Sequence, residues 1–72
     1  MSEHMYKVIE LVGTSPESWE KAAATAVEVA AQHLKDLRIG EVTEMDLQIS
    51  EGKVVAYRTK VKVSFKYHPS EE

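Results

Sequence analysis

The side chains of this chain that can do chemistry are few, and the most suggestive of them are acids. Glu41, Glu44 and Asp46 lie close together in a stretch that reads as a strand, where carboxylates at i and i+2 project from one face. Glu44 and Asp46 are therefore a candidate pair for a hard divalent cation such as Ca²⁺. That ion prefers about 6 to 8 oxygen ligands, so two carboxylates are only part of a shell and the rest must come from another chain. The competing assignment is charge pairing across a sheet, Glu44 with Arg58 and Asp46 with a nearby lysine. It is favoured while no further ligand is in view.

Other reactive sets are missing. There is no cysteine, which excludes a thiol nucleophile, disulfides and thiolate metal sites. Ser15, Ser18, Ser50 and Ser64 fall in cap, helix, turn and strand contexts that account for them, and neither a G-x-S-x-G nor a P-loop pattern occurs. His4, His33 and His68 stand at the N-terminus, the helix end and the tail, without ligand spacing. Trp19 is the only tryptophan; on the apolar stripe of a helix's first turn it reads as a packing or subunit-contact anchor ahead of a stacking platform for a ligand. An enzyme is not expected.

The elements that must position these residues belong to a chain of 72 residues. A domain of this size buries only about 60% of its unfolded surface and is marginal without a staple. With no cysteine, self-association is the staple that remains. The net charge of −3 includes Glu3, Glu71 and Glu72 at the ends, so the ordered part is near neutral and carries no nucleic-acid footprint. No apolar run approaches the ~18 residues of a membrane span, and Met1 to Tyr6 lacks the features of a signal peptide. The expectation is one cytoplasmic domain over 1–72, with an ordered core of about 5–68, a disordered tail from His68, and no nucleic-acid or membrane partner.

Tyr6 to Val12 predicts a first strand with apolar residues on both faces, Tyr6, Val8 and Val12 against Ile9 and Leu11. One cover is the chain's own helix, the other a neighbouring subunit. Ser15 as N-cap with Pro16 at the first helical position, or Thr14 with Glu17 as a capping box, predicts a helix running to Lys35 or Asp36. Its stripe of Trp19, Ala22 or Ala23, Ala26, Ala30, Leu34 and Leu37 is mostly alanine, which lets a sheet curl closely around it. Leu37 to Ser50 predicts a second strand whose alternation slips, with Gly40 a candidate bulge. A three-residue loop, Ser50-Glu51-Gly52, sets Leu47 opposite Val55, Met45 opposite Tyr57 and Glu44 opposite Arg58. Val54 to Tyr67 is a long final strand: Val55, Tyr57, Thr59, Val61, Val63, Phe65 and Tyr67 form an apolar row, and Arg58, Lys60, Lys62, Ser64 and Lys66 a polar one. A ribbon of this kind needs partners along any free edge.

In its order of parts the chain resembles the dodecins. The resemblance spans Tyr6 to Tyr67 and rests on YKVIELVGTS, the Ser-Pro helix start, the Ala-rich helix, Glu41-Val42 in a long second strand and the closing VKVSFKY. It implies an α+β, βαββ fold in which a three-stranded antiparallel sheet wraps one helix. It also implies a hollow homododecamer that binds and stores flavins without catalysis. The resemblance places the flavin-stacking Trp of the family at Ile39, its flavin-edge Gln at Arg58 after Tyr57, and a cation often found near the flavin at Asp46. An aliphatic side chain cannot replace an aromatic face, and Arg offers donors only. SPESW is similar to a branch that lacks the flavin Trp, which implies the same cage with a different cargo, a divalent cation such as calcium or another small ligand. A flavin store with a pocket rebuilt from Tyr57, Arg58 and Trp19, and a structural cage without specific ligand, stay open as alternatives.

Overall fold

The computed structural model describes residues 5–67; His4, His68 and the tail expected after it lie outside the described residues. The elements are β1 (Tyr6–Ser15), α1 (Trp19–Ala31), β2 (Leu37–Ser50) and β3 (Lys53–Lys66). They form one antiparallel sheet in the order β1-β3-β2. The α+β, βαββ architecture is therefore as the sequence predicts. The last strand is the central one, so the free edges belong to β1 and β2.

The apolar row of β3 does face the helix. Thr59, Val61 and Val63 are each 1% exposed and Ala22 of α1 is fully buried. Gly13 of β1 lets the helix approach, because a Cβ there would strike the carbonyl of Ala22. Thr59 Oγ1 donates to the Trp19 carbonyl at 3.1 Å, tying the first helical turn to the middle of β3. Ile9 and Leu11 of β1 turn inward and are half-buried, while Tyr6, Val8 and Val12 on the opposite face are exposed.

The helix is shorter than its pattern predicts at both ends. β1 continues to Ser15, held by pairing with Tyr57, so Ser15 cannot be the N-cap. Its hydroxyl instead accepts from the Glu17 N–H at 3.0 Å in a local turn. Ser18 is the N-cap, in extended conformation and accepting from the Lys21 N–H at 3.0 Å, and the Thr14–Glu17 capping box is not formed. At the far end α1 stops at Ala31; the Gln32 and His33 amides reach back three residues to Val29 and Ala30, the tighter bonding of a last turn. Asp36 at φ 60 then turns the chain into β2.

The hairpin also differs. Glu51 and Gly52 have φ of 52 and 77, so the loop has two residues and the type I′ form, with Ser50 opposite Lys53. A register shift at Gln48/Ile49 leaves Val55 as the extra residue. Together the shorter loop and this bulge move the register by two, bringing Leu47 opposite Tyr57, Met45 opposite Thr59, Asp46 opposite Arg58 and Glu44 opposite Lys60. The expected Glu44–Arg58 pair is thereby corrected. Two further shifts, Leu37/Ile39 and Val42/Glu44, flank Gly40 without falling on it. Among the described residues, no helix is long and apolar enough to cross a membrane.

Candidate functional site

Register decides which charges meet. Asp46 and Arg58 are opposite each other on the face of the sheet turned away from α1, and the guanidinium takes both carboxylate oxygens. Nε donates to Oδ1 at 2.7 Å and Nη2 to Oδ2 at 2.9 Å. This is the planar fork-to-fork geometry that arginine can make and lysine cannot. The hydrogen bonds from Arg58 hold the Asp46 carboxyl below its ordinary value, and the same bonds raise the Arg58 guanidinium. Both side chains are about half exposed, so the pair orients the groups more than it stabilises the fold.

Two residues earlier on β2, Glu44 projects beside Asp46. Its Oε1 lies 3.6 Å from Lys60 Nζ, an exposed point-charge contact. Thr43 Oγ1 donates to the Lys60 carbonyl at 3.2 Å across the bulge that sets this spacing. The two carboxylates offer the hard oxygen donors that Ca²⁺ takes. Their number does not suffice, and among the described residues no group of three or more His, Cys, Asp or Glu comes together. Each acid is instead engaged by a cationic side chain, Asp46 by Arg58 and Glu44 by Lys60.

Behind this pair, on the helix side, stands Trp19. Its indole Nε1–H donates to the Asp46 carbonyl at 3.1 Å, and its ring meets Tyr57 edge-on, with centroids 5.2 Å apart at 79°. Trp19 thus connects the start of α1 to the backbone of Asp46. Beside it lies a groove of about 340 Å³ lined by Trp19, Glu20, Ala23, Val42, Met45 and Thr59.

Within one chain the four residues expected at the family's flavin site, Ile39, Asp46, Tyr57 and Arg58, do not converge. Asp46 and Arg58 meet; Tyr57 belongs to the opposite face of the sheet; Ile39 pairs with Ser64, six residues along β3 from Arg58 and about 20 Å away. Ile39 is 65% exposed. The roles of Lys60 as partner of Glu44 and of Trp19 as donor to Asp46 were not read from the sequence. Glu51-Gly52 taken as a two-residue turn moves every pair by one, and the second step, the bulge at Val55, had no signal in the sequence. A donor reaching across 27 positions leaves no local pattern.

A family model described as Dodecin matches residues 5–68. The calcium dodecin of Mycobacterium tuberculosis is 45% identical over 67 residues, spanning 93% of this chain and 94% of that protein. The dodecin of Thermus thermophilus is 39% identical over 62 residues, spanning 86% of this chain and 90% of that one. Among solved structures, dodecin from Streptomyces coelicolor superposes with a TM-score of 0.89 at 40% identity, covering 94% of this chain and 97% of its own. The Mycobacterium tuberculosis calcium dodecin, described as calcium chelating with a novel calcium-binding site, superposes at 0.81 with 48% identity and the same two coverages.

Proposed function

The chain belongs to the dodecin family, and from that premise we propose that it is a non-catalytic binding and storage protein whose cargo is a divalent cation, Ca²⁺ in the first place, in place of tightly held flavin. Its working form is a hollow homododecamer in the cytoplasm, in which Glu44 and Asp46 of several copies complete the shell that one copy lacks. The observation that carries this reading is the Asp46–Arg58 pair, which puts opposed charges where the family's flavin contacts are expected. The calcium-binding relative at 45% identity supports the choice of ion. Ile39, exposed and aliphatic, supplies no stacking surface for an isoalloxazine ring.

A second reading follows from the groove beside Trp19. It is mostly apolar with the Trp19–Tyr57 edge contact at one end, and a flavin there would be held by those two rings without Arg58, which lies on the other face of the sheet.

Two titrations on the assembled protein separate the readings. Heat on adding CaCl₂, with no quenching of riboflavin fluorescence at micromolar protein, is the expected result. Stoichiometric riboflavin quenching without Ca²⁺ binding would replace the first reading by the second. Silence in both would leave a cage without specific ligand. Sedimentation velocity tests the assembly, and a monomer there would defeat the cage itself.

A further inference from the structure

We infer that the β2–β3 hairpin has two registers, two residues apart, and that Asp46, clamped from both faces of the sheet, selects between them. In the register observed, Asp46 is opposite Arg58 and Gln48 opposite Ala56. A slip of two residues sets Glu44 opposite Arg58 and Gln48 opposite Val54. Strand parity survives such a slip, so the residues of β2 keep their faces and another carboxylate meets the guanidinium.

Local structure favours the slipped register. The observed one holds Glu51, a residue with a Cβ, at φ 52 in the left-handed region, and leaves Val55 as an extra residue in β3. After the slip Ser50-Glu51-Gly52 closes the hairpin as a three-residue loop, in which only Gly52 stays left-handed and Val55 pairs with Leu47. The ladder already steps between Val42 and Glu44, so the slip can end there with Gly40 and Val61 in place. Burial does not oppose it, because every residue of β2 after Leu37 is exposed.

What opposes it is a set of long-range contacts centred on one residue. Arg58 holds both Asp46 carboxylate oxygens on the outer face, at 2.7 and 2.9 Å, and Trp19 Nε1 donates to the Asp46 carbonyl from the helix side at 3.1 Å. The Glu44–Lys60 contact at 3.6 Å and the bond from Thr43 Oγ1 to the Lys60 carbonyl add to the same register. The choice decides the wall of the groove beside Trp19. Met45, which lines it opposite Thr59, gives way to Thr43 after the slip.

The chain has no cysteine, so introduced pairs report the register directly. Gln48→Cys with Ala56→Cys closes in the observed register; Gln48→Cys with Val54→Cys closes only in the slipped one, since Val54 is otherwise opposite Ile49. The full chain is oxidised in its native assembly and intrachain bonds are read by peptide mass mapping. The 48–56 bond should dominate in the wild-type background. Asp46→Ala should raise the yield of the 48–54 bond relative to 48–56 roughly fivefold, and Arg58→Lys, which keeps the charge but loses the fork, roughly threefold. Glu51→Asn creates the Asn-Gly pair that type I′ turns favour and should reverse both gains, which a mere loosening of the fold would not allow. Arg58→Lys carries the test should Asp46→Ala not fold. An unchanged ratio in the folded variants, or gains that Glu51→Asn leaves in place, would overturn the inference.

Discussion

β1 and β2 flank the same central strand, and the helix treats them unequally. On β1 the inward residues Ile9, Leu11, Gly13 and Ser15 are half-buried or buried under α1. On β2 every residue after Leu37 is exposed, including Val42, Met45 and Leu47, which share the helix side of the sheet with Val61, Thr59 and Tyr57. One helix of 13 residues covers about 20 Å of a ribbon whose strands have 14 residues and run to more than twice that. The chain thus folds around α1, β1 and the middle of β3. β2 is the part the helix leaves uncovered, and it carries Asp46 of the charged pair.

The sharpest way to break this contrast is at Gly13. Gly13→Val drives a side chain into the Ala22 carbonyl and should cost about 3 kcal/mol or leave no soluble product, read by urea unfolding. Val61→Ala, under the helix, should cost about 2 kcal/mol in the same assay. On β2, Met45→Asp should keep the far-ultraviolet circular dichroism of the wild type and lower the sedimentation coefficient. An unchanged coefficient would mean that this surface does not hold copies together. Trp19→Phe removes the hydrogen bond between α1 and the β2 backbone and should lower stability by about 1 kcal/mol.

The smallest effect is the pH dependence carried by Asp46. Its folded-state value is lowered below 3.8 by the Arg58 hydrogen bonds, so its contribution is present above that value and fades as pH falls through the lower folded one. Urea midpoints of wild type and Asp46→Asn should differ by a constant amount above pH ~5 and converge below pH ~4. A difference that persisted into strong acid would mean that the carboxylate charge is not what the fork recognises.

The same contrast marks how much was legible in the sequence. Alternation along β3 was enough to assign Val61 and Val63 to the core, because one buried face fixes the parity of a strand. The helix was found but begun too early and ended too late; its start was misread because Ser15 and Ser18 are both good caps and the competing hold on Ser15 comes from Tyr57, 42 positions later. On β2 nothing is buried, so no packing argument fixed the register, and one residue in the loop and one bulge at Val55 sufficed to misassign the partner of Glu44. Charge alone could not arbitrate, because Arg58 and Lys60 are equally plausible partners until the turn is known. The site lay where the sequence is least constrained by its own fold.

The order β1-β3-β2 has a consequence for how the molecule comes into being. Tyr6 pairs with Lys66, so the first strand to leave a ribosome must wait for almost the whole domain before its partner exists. The β2–β3 hairpin, closed by a two-residue turn, needs no such wait and forms from neighbours in the chain. Until β3 emerges, the nascent chain is two strands, β1 and β2, without the partner they share, and a short helix with little to bury. Tyr6, Val8 and Val12, which the helix leaves exposed even in the finished fold, stay open throughout.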